Sequence, residues 1–167
     1  RPAVSDRGSF LVMVSFVEKE GRPHLLYSCT AQAEAALSRR WRWPHFRAAE
    51  LACKCGGRFC DGAYWHAPLF LDALEQMRAF AGGRALVITS GHRCAGWNAA
   101  VGGAPLSQHK QIAADISLIG HDRHGLLQAA RQAGFTGFGL GRSFLHVDRR
   151  ARPARWYYKG SEGLWQT

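Results

Sequence analysis

Apolar residues fall into short runs of two kinds along this chain. Between positions 68 and 81 they recur at helical spacing: Phe70, Leu74, Met77 and Ala81 share one face, Pro68 suits a first helical position, and Gly82-Gly83 stops the run. This predicts an amphipathic helix whose apolar stripe is a core face. A second helix is expected over residues 123–132, capped by Asp122 and ended by Gly134. A third is expected over 31–40, capped by Thr30 and ended by Trp41-Arg42-Trp43-Pro44. Strand-type runs occupy residues 10–17, 24–29, 85–89, 113–118 and 144–148. The first two flank a polar turn and form a β-hairpin pattern. In the last, Leu145 and Val147 alternate with His146 and Asp148, so the polar pair shares one face. Residues 98–103 are expected to be a short turn or helical piece, and the Gly- and Cys-rich segment 53–62 an irregular loop. The order hairpin, helix, helix, strand, strand, helix, strand predicts an α+β fold with a small, largely antiparallel sheet packed with helices.

A length of 167 residues fits one domain, or one domain with a modest extension. Composition shifts near His45, which divides the chain into an N-terminal extension of hairpin plus helix, residues 1–45, and a main domain, 46–167. With 47% hydrophobic and 20% charged residues, the chain can bury a core. No apolar run approaches the ~20 residues that span a bilayer, so no membrane span is expected. The net charge of +10 calls for an anionic partner: nucleic acid, acidic lipid or an anionic cell-wall polymer. The first residue is Arg1, which is compatible with a removed leader.

Three of the five cysteines lie in the run Cys53-Lys54-Cys55-Gly56-Gly57-Arg58-Phe59-Cys60; the others are Cys29 and Cys94. Cys53, Cys55, Cys60 and Cys94 suit two disulfides, which would imply an oxidising compartment, or a four-thiolate zinc site. The C-x-C-x4-C spacing matches neither of the common CxxC knuckles, and the odd count leaves a thiol over if the rest are bridged.

Most of the eight histidines lie in polar surroundings. His24, His45, His66 and His121 are expected to be solvated, and His124 to be exposed on its helix. His109, Asp115 and His146 stand apart. Asp115 lies between Ala114 and Ile116 in a strand pattern, where an unpaired carboxylate is expensive to bury. Two histidines and a carboxylate with a fourth position open to water make a catalytic zinc set; a structural Asp–His hydrogen bond uses the same residues.

The stretch from Phe46 to Tyr158 resembles the zinc D-alanyl-D-alanine carboxypeptidases and their murein endopeptidase relatives, phage endolysins included. Hedgehog domains and lysostaphin-type peptidases share the wider architecture. The resemblance rests on Ala52-Cys53-Lys54-Cys55, Ile88-Thr89-Ser90-Gly91-His92-Arg93-Cys94, Asn98-Ala99-Ala100-Val101-Gly102-Gly103-Ala104, Ser107-Gln108-His109, Ala113-Ala114-Asp115-Ile116 and Phe144-Leu145-His146-Val147-Asp148, in that order. It implies that His109, Asp115 and His146 are ligands of Zn2+. It implies that Arg93 lies beside the metal and stabilises developing negative charge, as a permanently charged guanidinium can. Ser107, just before the first ligand, and His92, where many relatives carry Tyr, become substrate-binding candidates.

Two departures from the family pattern are visible. His109 and Asp115 are six positions apart rather than seven, with Gln111-Ile112 where a glycine is expected. Ser143 stands where many relatives carry an acidic general base, and a hydroxyl is too weak an acid for that role. Asp148, on the face of His146, either takes the proton of a catalytic water or orients that ligand.

The implied function is zinc-dependent hydrolysis of amide bonds in peptidoglycan stem peptides or crosslinks, in the periplasm, outside the cell, or delivered by a phage or phage-like particle. A zinc-containing module of the same fold that binds cell wall or protein without cutting is the first alternative. A nucleic-acid binder is the second. It is prompted by Arg39-Arg40-Trp41-Arg42-Trp43 and by the basic, Trp-containing run 149–156, although a solvated basic surface explains both.

Overall fold

A computed structural model of the protein describes residues 16–17 and 23–166. The first sheet is antiparallel, in the order β1 (Phe16–Val17), β2 (Pro23–Tyr27) and β3 (Tyr64–His66). The pairing of Phe16 with His24 is the inner end of the expected hairpin; residues 10–15 and the turn at 18–22 lie outside the described residues. Because β2 also pairs with β3, this sheet joins segments on either side of position 45. Helix α1 (Thr30–Leu37) starts one residue earlier than expected. Thr30 is its first residue, and Cys29 is the cap position, with no side-chain hydrogen bond there.

The second sheet holds five strands in the order β4 (Ile88–Ser90), β5 (Ala114–Ser117), β7 (Phe144–Asp148), β6 (Gly137–Leu140) and β8 (Ala154–Tyr157). All neighbours are antiparallel except β6 and β8. The α+β class with a small, mostly antiparallel sheet is therefore as expected, with one parallel pair added. Beside the short helices α2 (Ala48–Leu51) and α4 (Ala95–Ala100), the longer α3 (Pro68–Phe80) and α5 (Arg123–Gln132) pack against each other and cover one face. Pro68 opens α3; Gly82 and Gly83, with φ of 80° and 73°, take the chain out of it through a conformation that side chains disfavour. Asp122 accepts the Gly125 N–H at 2.7 Å and caps α5.

Alternation decides which residues face these helices. Ala114 and Ile116 pair with Val147 and Leu145, and all four are in the core with Leu71, Leu74, Met77 and Leu126. The opposite face of the same strands carries Asp115 and His146. Leu74 is fully buried, and Leu74→Ala is expected to destabilise the protein by about 2–5 kcal/mol through lost apolar contact and a residual cavity, readable as a lowered denaturant midpoint with unchanged slope.

Aromatic packing corrects one expectation. His66 is buried, not solvated. Its ring lies against Trp41, Trp43 and Tyr64, and the Tyr64 hydroxyl sits 3.1 Å from its Nδ1. Trp43 is buried, and half-buried Trp41 donates its indole N–H to the Trp43 and Phe46 carbonyls, so the aromatics of this basic run pack with the core. Among the described residues no helix is long and apolar enough to cross a membrane.

Candidate metal centre

The register of the five-stranded sheet builds the site. Asp115 on β5 is directly opposite His146 on β7. His109 comes from a 3-10 turn, Gln108–Lys110, capped by Ser107, whose hydroxyl accepts the His109 N–H at 3.2 Å. The His109–Asp115 connection, although one residue short, brings the side chains together. His109 Nε2 is 3.2 Å from Asp115 Oδ1 and 3.0 Å from His146 Nδ1, and His146 Nδ1 is 2.9 Å from the same carboxylate oxygen. All three residues are buried.

The protons can be placed from the partners. His109 Nδ1 is 2.7 Å from the Gly91 carbonyl, and a carbonyl only accepts, so Nδ1 carries the hydrogen. His146 Nε2 is 3.0 Å from Asp148 Oδ2. Burial works to raise the Asp148 pKa, but its bonds from His146 and Arg150 hold this carboxyl well below the usual range, so it too accepts. In the neutral form of each ring, His109 Nε2 and His146 Nδ1 therefore present bare lone pairs to each other and to Asp115 Oδ1. Three acceptors face one another at hydrogen-bond distance with no donor among them. Only a cation resolves this: a proton, or a metal ion held by two imidazole nitrogens and a carboxylate, the donor set that suits Zn2+.

Asp148 lies behind His146, on the far side of the ring from the cluster. It is fully buried, and its oxygens also take the Arg150 backbone N–H and guanidinium. This geometry fits the orienting role: the carboxylate is fully buried between His146 and Arg150. Room for it depends on Gly137 of β6, which pairs with Asp148; a Cβ there would fall on the carboxylate. Gly139 pairs with His146, leaving space for the Trp156 ring, whose centroid is 5.2 Å from that of His146.

Outside the cluster, a cleft of about 370 Å³ is lined by Arg93, Ser107, His109, His146, Arg150, Trp156, Tyr158 and the 101–104 loop. Asn98 holds that loop through a 3.0 Å bond to the Ala104 carbonyl. Arg93 Nη2 donates to Asp115 Oδ2 at 3.0 Å and its Nε to Ser90 Oγ at 3.0 Å, which fixes the guanidinium at the edge of the cluster. Ser107 is also at the cleft. His92 is not among the cleft-lining residues: it is 4% exposed, and its Nδ1–H donates to the Gln111 carbonyl at 2.7 Å, which braces the loop after His109. Ser143 is exposed on the turn before β7 and lies outside the cleft lining.

Arg150, Trp156 and Tyr158 were not singled out as site residues by the sequence. The Arg150 guanidinium stacks over Trp156 at 4.6 Å, so the second basic, aromatic run is a wall of this cleft. The only local signal for it was Trp among arginines, which equally fitted stacking on bases.

Protons and metal compete for the same lone pairs. Burial lowers the His146 pKa, but its bonds to Asp115 and Asp148 outweigh burial and raise it above its ordinary 6.5 in the metal-free protein. A raised pKa means that the protonated ring stabilises the metal-free fold at pH below 6.5, a contribution lost as pH climbs through the raised value. Zinc affinity should run the opposite way. It is expected to fall about tenfold per pH unit below the His146 pKa and to level off above it, as chelator competition across a pH series would show.

Residues 44–148 match the family described as Peptidase M15, a span that begins ahead of Phe46, contains Arg93 and the three convergent residues, and ends on Asp148. No curated protein matches the chain. Since the match takes in well over half of the residues, and the acceptor cluster with its arginine lies wholly inside it, the chain belongs to the Peptidase M15 family of metallopeptidases.

Proposed function

We propose that this protein is a zinc peptidase that hydrolyses amide bonds in the stem peptides or crosslinks of peptidoglycan. The observation that carries the reading is the set of three convergent acceptors, His109 Nε2, His146 Nδ1 and Asp115 Oδ1, at the floor of an open cleft. These residues would hold Zn2+. When bound, the ion supplies Lewis acidity: it makes water a nucleophile near neutral pH and polarises a carbonyl.

The remaining groups of the chain have separable tasks. The Gly91 carbonyl and the Asp148 carboxylate fix the ring tautomers, so that in the neutral rings the bare nitrogens are the ones that face the metal position. Arg93, tethered through Asp115 and Ser90, offers fixed donors to the oxyanion that develops as the carbonyl is attacked. Burial raises the Tyr158 pKa, and the nearby Asp115 charge adds to it, so the phenol stays a hydrogen-bond donor at neutral pH. Ser107 and the Trp156 ring border the place a peptide would occupy. Arg93 and Arg150 offer guanidinium donors in the cleft to a substrate carboxylate, and the +10 net charge suits an anionic wall. Such a substrate places the protein in the periplasm, outside the cell, or in a phage or phage-like particle that delivers it to the wall.

One observation favours the non-cutting alternative. Among the described residues the cleft lining contains no carboxylate to accept a proton from water. Incubation of the zinc-loaded protein with purified peptidoglycan separates the readings. New amino termini, or released D-alanine, are the expected result. Sedimentation with the wall and no new termini would establish the binding module instead.

A further inference from the structure

We infer that Cys53, Cys55, Cys60 and Cys94 form a second metal site, a tetrathiolate centre for a soft divalent cation of the Zn2+ class. Their four sulfur atoms lie within 4.8 Å of one another, and Cys55 Sγ is 3.6 Å from Cys60 Sγ. A tetrahedral ion with Zn–S bonds of about 2.3 Å requires sulfur–sulfur edges of about 3.8 Å. Two disulfides would instead draw the sulfurs into pairs at about 2.05 Å, and none of the four is bridged.

The chain around them is built for thiolates. Backbone N–H groups point at the sulfurs: Cys94 N at Cys53 Sγ at 3.4 Å, Ala63 N at Cys60 Sγ at 3.5 Å, and Trp97 N at Cys94 Sγ at 3.5 Å. Donors of this kind strengthen when the acceptor is charged. Gly56, Gly57 and Gly62 adopt φ of 64°, 80° and 81°, which lets a short loop reverse and aim three cysteines at one point. Lys54 and Arg58 lie in the same loop as this centre, which would carry two net negative charges once formed. Four thiols release their protons to solvent on binding, and no oxidant or reductant takes part. Cys29 is left over, at the start of α1, which accounts for the odd cysteine.

This centre bears on the first site through the backbone. It ties the 53–60 loop to Cys94, the residue after Arg93 and three after Gly91, whose carbonyl sets the His109 tautomer. Gly91 already lies against the Leu51 backbone with no room for a side chain, and the His92 N–H donates to the Leu51 carbonyl at 2.7 Å. The thiolate metal thus acts as a positioning element for Gly91 and Arg93.

The test uses the His109→Ala/His146→Ala double variant of the full chain, purified without added metal or reductant. Elemental analysis should find one zinc per chain, and thiol titration after denaturation with chelator should find all five cysteines reactive. No zinc overturns the inference, whether one thiol reacts, meaning two disulfides, or all five do. Cobalt substitution gives an independent reading. The double variant should show intense sulfur-to-cobalt charge-transfer absorption, and Cys60→Ser, which removes one thiolate of four, should lose about a quarter of it or more. If Cys60→Ser fails to fold, the double variant's spectrum decides alone, because cobalt bound by imidazole and carboxylate has no sulfur band. Zinc present in the wild type and absent from the double variant would remove this centre while leaving the His109–Asp115–His146 site intact.

Discussion

His146→Ala is expected to remove one zinc per chain and to reduce peptidoglycan hydrolysis by about 10⁴-fold or more, the scale seen when one member of an interdependent catalytic set is deleted. The reason is local and chemical. Without the imidazole, His109 Nε2 and Asp115 Oδ1 remain, and two donors hold zinc far less tightly than three. The fold should survive. β7 keeps its main-chain pairing to β5 and β6, and Leu145 and Val147 keep their place in the core. Circular dichroism should therefore be close to wild type while metal content and turnover fall together. His45→Ala is the matching control, because His45 pairs with Glu75 at the surface, away from the cleft; it should leave both readouts unchanged. Wild-type zinc content and rate in His146→Ala would sink the assignment.

Asp148→Asn should lower zinc affinity by about 10–100-fold, the usual effect of altering a group that orients a ligand. The amide preserves shape but not charge. The His146 Nε2–H loses its anionic acceptor, and Arg150 loses its ion-pair partner. The experiment also separates the two roles first read for Asp148. If the carboxylate only orients His146, saturating zinc should restore most of the hydrolysis. If it takes a proton in the reaction, the variant will be zinc-loaded and still inactive. Its complete burial behind the ring predicts rescue.

The three convergent residues were legible in the sequence because each sits in a recognisable local frame. Asp115 interrupts an apolar strand run, His146 alternates with Leu145 and Val147, and Ser107 precedes His109. The helices α3 and α5 were equally plain, since periodicity, Pro68, Asp122 and the terminal glycines all agree. Three strands were not. β3, Tyr64-Trp65-His66, is buried along its whole length and shows no alternation. β6, Gly-Phe-Gly-Leu, has glycines where strand-forming side chains would signal it. β8 lies in a basic run just after Pro153 and looks like surface.

These three strands also explain the errors about individual residues. His66 looked solvated because its aromatic neighbours Trp41 and Trp43 come from a distant segment. Trp156 fitted a solvated basic surface or a stacking residue equally well, because its ring neighbour His146 is reached only when β8 pairs in parallel with β6. The two imidazoles and the carboxylate, and the faces of the strands that carry two of them, were thus singled out by residue type and spacing, with the family resemblance adding the metal. Tertiary structure decided which way each ring points, which carboxylate stands behind His146, and what walls the cleft. Those depend on strand order and on the small residues that permit close approach, and short-range periodicity carries no information about either.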